Sequence, residues 1–525
     1  MNLPSATIRQ IMDHRARTDP DHVHVTFAGR SYTFGEMDAL ANRVANRLLS
    51  LGLRPGDGVG LMLPSHPDHV VAILALAKAG LIRMPVNTNL KGPSLDFALD
   101  LFRPRVLIAD VAYAAQLRPA LSSGRIEHVI WRDAKSVSDF TGFLQHHEEG
   151  SPSEAPAAGD ILAIHSSSGT TGAPKGVLKS DLNLRAGPEA IIELADVRDG
   201  DVMHMWEPLH HGGGIGVVIT SLLKPVTLAM HSRFSASRFW DEARAAKATH
   251  IHYLGSVVPV LLKQPPSSRD RDHNVRVAWG GGCPPDLWQP FEERFGVSIR
   301  EGYGLSELIS FVTINKEGRR GSVGKALPFY EIGVFGDEGR LPTGETGEMR
   351  VRSKAPGLEF RGYLRNEEAS RATMDGKWFC TGDLVSMDGE GFFHFKGRKK
   401  DVIRRRGVNI ASWEVERIVA EHPAVEECAL IAVPSPIGED DLKIFVRPKP
   451  GESPDPLDLI AWCEPRMPYF QIPRYIALIG ELPKTPSERV RKNDLSRATD
   501  DCFDLEASGY VIDRNRVLDD EGASA

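Results

Sequence analysis

The chain has 525 residues, 41% of them hydrophobic and 25% charged, with a formal net charge of −7. Because this length exceeds one ordinary hydrophobic core, we expect two or more domains. The acidic balance argues against nucleic acid as the main partner, since binding a phosphate backbone requires a basic face. The five scattered cysteines contain no Cys-x-x-Cys pair, which indicates neither a zinc site nor a disulfide framework and predicts a cytoplasmic protein. We expect neither a signal peptide nor a membrane span, because no apolar run is long enough.

Helix and strand patterns alternate along the N-terminal half. Helical spacing of apolar residues predicts helices over 37–48 and 70–79. Short apolar runs predict buried strands over 59–63, 106–109 and 128–131. The alternation continues in two later segments, 217–230 and 274–278. This βα rhythm predicts an α/β fold in which a mostly parallel sheet is covered by helices on both faces.

Beyond about residue 320 the pattern changes to β segments punctuated by glycine. They lie at 333–335, 347–351 and 391–395. A helix over 413–421 and strands over 428–433 and 442–446 then predict a smaller α+β unit.

We place the domain boundary at Lys400, which gives a large N-terminal domain over 1–399 and a C-terminal domain over 400–525. The acidic, small-residue end over 519–525 is expected to be disordered.

A loop rich in hydroxyls and glycines follows the apolar run at 161–164. Glycines let backbone N–H groups turn toward an anion, hydroxyls add donors, and a lysine adds charge, so the loop suits a polyphosphate. It is not a Walker loop, and a flexible connector is the alternative. The candidate phosphate ligands are Ser167, Ser168, Gly169, Thr170, Thr171, Gly172 and Lys175.

The loop sequence SSSGTTGAPKG resembles the phosphate loop of the adenylate-forming enzymes, which include acyl-CoA synthetases, peptide-synthetase adenylation domains and luciferases. Three later segments, 301–307, 381–383 and 397–403, resemble further motifs of that superfamily in the same order. Taken singly, the first two also fit ordinary turns. Ordered motifs over most of the chain indicate membership, and they imply a large N-terminal domain of β-sheets and helices with a small mobile α+β lid.

The resemblance implies a set of nucleotide contacts. Tyr303 would stack on adenine, Ser306 would contact the α-phosphate, and Glu307 would help to hold Mg²⁺. Asp383 would accept the ribose hydroxyls, and Arg398 would contact the nucleotide. Lys400 matches the hinge between the domains. The neighbouring positions assigned to nucleotide binding are Gly281, Gly282, Glu301, Gly302 and Gly304.

The chain departs from the family pattern at the catalytic lysine of the C-terminal domain. In relatives this lysine and Lys175 offset the repulsion between a carboxylate and the α-phosphate of ATP. Here Glu488 occupies the column of the preceding glycine, and Arg489 occupies that of the lysine. We expect either Arg489 or Lys492 to act as the cation, the alternative being a weakened or rerouted first step.

A second half-reaction would transfer the acyl group to a thiol. Gly407 matches the glycine that lines the pantetheine tunnel of CoA ligases, where the absence of a side chain lets the thiol arm pass. The arginines at 404–406 suit the phosphates of CoA, or else form a solvated basic turn.

The acyl pocket is predicted from two further segments, 206–214 and 279–283. Trp206, His211, Gly213 and Trp279 are its candidate walls, and this mixture favours a compact or polar acid. The adjacent His210 and His211 lack a third ligand in register, which argues against a metal at that pair. The residue patterns of several segments most closely resemble those of the carnitine/crotonobetaine-CoA ligase-like branch.

Together these features predict an ATP-dependent carboxylic acid–CoA ligase that acts through an acyl-adenylate and uses ATP, Mg²⁺ and coenzyme A. One alternative is an adenylating enzyme that transfers to a carrier-protein thiol or an amine. Another is a non-catalytic nucleotide-binding sensor or scaffold. The sequence leaves a homodimer open.

Overall fold

The fold is built from two α/β sheets, an antiparallel sheet and a smaller C-terminal unit. The computed structural model describes residues 5–90, 92–126, 128–133, 139–146, 148–166, 175–255, 257–399, 402–405, 408–435, 440–485 and 489–512. The predicted disordered end over 519–525 lies outside these residues.

The largest sheet has nine strands, and six neighbouring strands in its middle run parallel to one another. Antiparallel strands complete both edges. In spatial order the strands are β15 Lys325–Ala326, β14 Thr313–Asn315, β13 Ser298–Tyr303, β12 Val277–Gly281, β11 His250–Leu254, β9 Val202–Met205, β10 Thr227–Met230, β1 Val23–Phe27 and β2 Arg30–Thr33.

The second sheet has six strands, all parallel except the last pair. Its order is β6 Val129–Arg132, β5 Val106–Asp110, β3 Gly58–Met62, β4 Ile82–Pro85, β7 Ile161–Ser166 and β8 Gly176–Ser180. The antiparallel β7–β8 pair carries the phosphate loop at one edge of this sheet.

Helices connect and cover the strands of both sheets. They are α1 Ile8–Thr18, α2 Phe34–Ser50, α3 Pro67–Ala79, α4 Gly92–Phe102, α5 Ala114–Ser122, α6 Phe140–Leu144, α7 Asp181–Ala195, α8 Gly212–Leu223, α9 Phe239–Ala245, α10 Val257–Leu262 and α11 Pro285–Phe295. No described helix combines the length and apolar character needed to cross a bilayer.

Helix α3 illustrates why these segments fold as they do. It begins at a proline, which needs no N–H partner in the first turn, and Gly80 ends it at φ +67°. Its side chains are buried on every face, including Val71 and Leu74. Because these side chains share one apolar cluster with Val25 of β1 and Leu61 of β3, a single core joins the two α/β sheets.

An antiparallel sheet follows along the chain. Its strands are β16 Tyr330–Gly336, β17 Gly339–Arg340, β18 Thr346–Ser353, β19 Met374–Asp375, β20 Trp378–Met387 and β21 Phe393–Arg398, with α12 Glu367–Ala372 before β19.

The C-terminal unit has its own strands and its own apolar cluster. Its elements are β22 Val402–Arg405, β23 Val408–Ala411, α13 Ser412–Ala420, β24 Val425–Pro434, β25 Asp440–Pro448, α14 Pro456–Cys463, β26 Tyr475–Leu478 and β27 Phe503–Asp504. The predicted hinge Lys400 lies outside the described residues, and the boundary at 399/400 stays a prediction.

Candidate active site

The two ends of the phosphate loop are fixed by strand pairing. Ser166 at the end of β7 is in register with Gly176 at the start of β8. The predicted phosphate ligands from Ser167 to Gly172 lie outside the described residues, whereas Lys175, the remaining predicted ligand, is described. The assignment of this loop to phosphate therefore stays a prediction.

Tyr363 connects the phosphate loop to the predicted magnesium ligand. Its segment packs along β8, where Leu364 N–H donates to the Gly176 carbonyl at 2.7 Å. The Lys175 Nζ lies 4.7 Å from the centre of the Tyr363 ring. The Tyr363 hydroxyl donates to Glu307 Oε1 at 2.9 Å. Lys175 and Glu307 are thus brought together, and the Glu307 carboxylate is the hard oxygen ligand that Mg²⁺ favours.

Lys179, a residue that the motifs did not single out, stabilises the turn that contains Glu307. It lies on β8 and is buried, and its Nζ donates to the Leu308 carbonyl. Burial lowers its pKa to about 7, while the nearby Glu307 carboxylate acts in the opposite direction. Lys179 therefore ties β8 to the turn that carries Glu307.

This burial predicts a pH-dependent stability. The pKa of Lys179 in the folded protein, about 7, is below the ordinary lysine value of 10.5. Between these values the unfolded chain binds a proton that the folded chain lacks, so stability rises with pH. We expect wild type to gain about 1.4 kcal/mol per pH unit relative to Lys179→Met from pH 7 to pH 9. Urea unfolding across this range measures the difference.

The matched control is Lys325→Met, which removes a half-exposed lysine from β15. Its stability should follow that of the wild type at every pH. A constant difference between wild type and Lys179→Met across the range would show that the Lys179 pKa is not lowered by burial.

The predicted contact Glu301 makes its hydrogen bonds within the protein. Its buried carboxylate accepts the Gly282 N–H at 2.6 Å, the Cys283 N–H at 3.2 Å and the Tyr253 hydroxyl at 2.6 Å. Burial raises the pKa of Glu301 to about 7, although these hydrogen bonds lower it. Glu301 thus holds the turn after β12 against β13, and its assignment to the nucleotide stays a prediction.

The glycines of the segments 281–282 and 302–304 occupy positions at which a side chain would clash or strain the backbone. A Cβ on Gly304 would lie 1.9 Å from the Ser310 carbonyl oxygen, well inside contact distance. Gly282 adopts φ +85°, which strains any other residue. Gly281 and Gly302 also meet, because a Cβ on Gly281 would lie 3.0 Å from the Gly302 oxygen.

The turn after Tyr303 approaches the antiparallel sheet at Asp383. The Tyr303 hydroxyl donates to Asp383 Oδ2 at 2.5 Å, and Arg398 Nε lies 3.2 Å from Oδ1. Burial and the Asp383 carboxylate raise the pKa of Tyr303 well above its usual value, which keeps the phenol protonated. Ser306 and Glu307 follow, half-buried, in the same turn. The structure therefore brings together three predicted nucleotide contacts, Tyr303, Asp383 and Arg398.

Arg489 extends from a C-terminal loop toward this group. The loop is closed by Arg489 N–H donating to Thr485 Oγ1 at 3.1 Å and by a bridge between Lys484 and Val490. Surrounding protein and the positive Arg398 lower the pKa of Arg489, while Asp383 raises it. The side chain nevertheless keeps more than a third of its surface accessible. Arg489 is thus exposed, and its charge interacts with those of the predicted nucleotide contacts Arg398 and Asp383.

The other candidate cation, Lys492, is held within the C-terminal unit. Its Nζ lies 2.8 Å from Glu416 Oε1. The same oxygen accepts the Leu430 N–H at 2.6 Å. Arg405 of the basic run is engaged too, since its Nε donates to Asp441 Oδ1 at 2.8 Å and the residue is buried. Gly407 lies outside the described residues.

His211 marks the side of the cleft predicted to hold the acid. It is the residue before α8, and its backbone N–H donates to the Pro208 carbonyl at 3.0 Å. Burial lowers the pKa of His211, and the charges of Arg489 and Arg83 lower it further. Arg489 therefore lies close enough to influence both His211 and the nucleotide contacts.

The predicted walls Trp206 and Trp279 flank a buried hydrogen-bonded pair of side chains, Glu207 and His252, that the motifs did not reveal. His252 Nδ1 lies 2.6 Å from Glu207 Oε1, and the His252 ring packs 4.2 Å from that of Trp279. The Trp206 indole N–H donates to the His252 carbonyl at 3.2 Å. A Cβ on Gly213 would lie 3.7 Å from His252 Cε1, so this glycine leaves the imidazole accessible from α8. The predicted wall is therefore polar.

Two α/β sheets and an antiparallel sheet, followed by a smaller C-terminal unit, match the architecture that the motifs predicted for an adenylate-forming enzyme. A family model described as "AMP-binding enzyme" matches residues 12–364, and one described as "AMP-binding enzyme C-terminal domain" matches residues 414–489. The chain belongs to the AMP-binding enzyme family, as the motifs predicted.

Similar proteins are known over nearly the whole chain. The medium/long-chain-fatty-acid–CoA ligase FadD6 of Mycobacterium tuberculosis is 32% identical over 97% of this chain and 88% of its own. The crotonobetaine/carnitine–CoA ligase of Escherichia coli O45:K1 is 30% identical over 88% of this chain and 92% of its own. The anthranilate CoA ligase AuaEII in complex with anthranoyl-AMP superposes with a TM-score of 0.85 at 26% identity, over 97% of this chain and 99% of its own. The predicted α/β adenylate-forming fold is thereby confirmed.

Proposed function

We propose that this enzyme joins a carboxylic acid to coenzyme A through an acyl-adenylate. The acid attacks the α-phosphorus of ATP and pyrophosphate leaves; the CoA thiol then attacks the acyl carbon and AMP leaves. The CoA ligase activities of the similar proteins support this reaction. Five cysteines without disulfides suit the cytoplasm, where we place the reaction, and a homodimer stays a prediction.

The observation that carries the proposal is the position of Arg489. The charge of an arginine from the C-terminal unit acts on both His211, on the predicted acid side, and the group around the predicted ribose ligand Asp383. The first step brings two anions together, so its barrier falls when cations are already in place. Among the described residues, no carboxylate forms an ion pair with Arg489, so its guanidinium suits the reacting oxygens.

The other residues take complementary roles in the first step. Lys175 adds positive charge at the end of the phosphate loop, and the Ser306 hydroxyl suits the α-phosphate as a donor. Asp383 accepts from the ribose hydroxyls and fixes the nucleotide. Magnesium, when bound by Glu307, would supply further charge to offset the phosphates.

Product analysis tests the proposed reaction. The purified chain is incubated with ATP, Mg²⁺, CoA and a panel of acids, while pyrophosphate, AMP and thioester are measured. We expect one pyrophosphate and one AMP for each thioester. Pyrophosphate release without CoA consumption would instead indicate transfer to another nucleophile. No release with any acid would contradict adenylation itself.

The buried pair at the acyl pocket predicts a preference for polar acids. Glu207 holds the His252 imidazole beside Gly213. Covering this polar pair with an alkyl chain costs more free energy than covering it with a polar group that forms a hydrogen bond to it. We expect His252→Leu to lower kcat/KM for the best polar acid of the panel about 10-fold, the value of one lost hydrogen bond. The ratio of kcat/KM between this acid and an alkyl acid of the same length measures the change.

Gly213→Ala serves as the comparison, because it adds one methyl group beside His252 and retains the hydrogen bond between His252 and Glu207. It should disfavour large acids of either kind and leave the ratio of polar to apolar acids unchanged. An unchanged ratio in His252→Leu would contradict a polar pocket wall.

A further inference from the structure

Three metal-binding side chains converge on the large sheet at a place separate from the nucleotide cleft. His204 lies on β9, His231 directly follows β10, and Glu242 lies on α9. Glu242 Oε2 is 3.7 Å from His204 Nε2 and 3.8 Å from His231 Nδ1. One ligand atom from each residue lies within 4.8 Å of the other two.

The hydrogen bonds of these histidines are incomplete. Both ring nitrogens of His204 are buried without a partner, and so is His231 Nε2. The His204 ring is packed between His231, at 4.6 Å, and the edge-on ring of Phe239, at 4.6 Å. Because native proteins rarely leave buried polar atoms unpaired, His204 Nε2, the nitrogen that faces Glu242, calls for a ligand.

Glu242 is oriented so that one oxygen faces the histidines. Arg238 Nε donates to Oε1 at 2.9 Å, while Oε2 is the oxygen nearest to both imidazoles. The His204 side chain has no exposed surface, whereas His231 is 24% and Glu242 17% exposed. An ion could therefore reach the cluster from the side of His231 and Glu242.

We propose that His204, His231 and Glu242 bind a zinc ion. Two imidazole nitrogens and one carboxylate oxygen form a ligand set that Zn²⁺ accepts, with water as the fourth ligand. Ligand atoms of a tetrahedral zinc site lie about 3.3 Å apart. The two carboxylate–imidazole distances therefore have to shorten by roughly half an ångström, and the distance between the two imidazoles, whose ligand atoms lie within 4.8 Å, by up to about 1.5 Å.

The bound ion would join three elements beside the acyl pocket. Its ligands come from β9, from the end of β10 and from α9, and Trp206 lies two residues after His204. Phe234 connects the two places, with ring centres 5.1 Å from Trp206 and 5.7 Å from Phe239. The zinc ion would thus stabilise the packing of these three elements next to the pocket wall, and no reaction step depends on it.

Zinc binding by the full-length chain tests the proposal directly. The protein is treated with a chelator, dialysed and titrated with Zn²⁺ without nucleotide, against a chromophoric chelator. We expect one tight site per chain, weakened at least 10-fold in His231→Gln and in Glu242→Gln. The matched control is His273→Gln, since His273 stacks on Trp240 in the same part of the molecule and is no member of the cluster.

Thermal unfolding separates loss of zinc from loss of fold. Zinc should raise the unfolding midpoint of the wild type and of His273→Gln, and it should leave the midpoints of His231→Gln and Glu242→Gln unchanged. Cobalt in place of zinc should give a visible ligand-field band that both cluster variants lose. Equal zinc affinity in the wild type and both cluster variants, or no tight site in the wild type, would overturn the proposal.

Discussion

Replacing Arg489 by alanine is expected to slow acyl-adenylate formation by about 100- to 1,000-fold, the usual cost of removing one preorganised group that stabilises a charged transition state. The reason is positional, because Arg489 is the C-terminal cation that lies near both His211 and Asp383. Pre-steady-state pyrophosphate release measures this step alone. Arg489→Lys should recover most of the rate, since lysine keeps the charge although it loses the planar fork.

Two variants of the same loop region serve as controls. Arg491→Ala removes an exposed arginine whose Nη2 lies 3.0 Å from Asp494, and it should leave pyrophosphate release within about threefold of wild type. Lys492→Ala removes the partner of Glu416 and should lower stability more than the rate of adenylation. A normal rate in Arg489→Ala together with a large loss in Lys492→Ala would assign the cation to Lys492 instead.

The half-reaction affected by Arg489→Ala can also be resolved. When acyl-adenylate is supplied with CoA, the first step is bypassed. Thioester formation by the variant should then approach the wild-type rate. An equal loss in both half-reactions would point to a damaged fold and not to a missing cation.

Local patterns predicted the regular elements well. Apolar residues at helical spacing identified α2 and α3, and the uninterrupted apolar run at 106–109 identified β5. Strands β9 and β11 were not predicted individually, because histidines interrupt their apolar runs. His204 and His252 are nevertheless buried in these strands. The residues that obscured the strand pattern are those that form the proposed zinc site and the polar pocket wall.

Contacts between distant segments could be predicted only through resemblance to a family. Tyr303 and Asp383 are 80 residues apart, and nothing in either local sequence indicates their 2.5 Å hydrogen bond. The link from Lys175 to Glu307 through Tyr363 depends on a loop that runs along β8. Such partners follow from the packing of whole elements, which periodicity and spacing do not determine.

Asp383 holds a central place in the proposed nucleotide site. It lies on β20 opposite Arg398 on β21, and its N–H donates to Thr381 Oγ1 at 3.0 Å, which fixes the turn. Its carboxylate already accepts the Tyr303 hydroxyl, so the groups predicted to contact ribose and adenine are adjacent before ATP arrives. Hydrogen bonds from ribose hydroxyls to a carboxylate are charge-assisted and contribute about 1.5–3 kcal/mol each.

We therefore expect Asp383→Ala to raise the KM for ATP about 100-fold, a smaller change than two full charge-assisted bonds because water enters the vacated space. The matched control is Asp375→Ala, which removes an exposed carboxylate, paired with Arg350, from β19 of the same sheet. Its KM for ATP should stay within about twofold of wild type, since exposed ion pairs contribute little. ATP titrations of initial rate at saturating acid and CoA measure both variants. If Asp383→Ala binds ATP as the wild type does, the carboxylate serves only to position Tyr303 and Arg398, and the ribose must be held elsewhere.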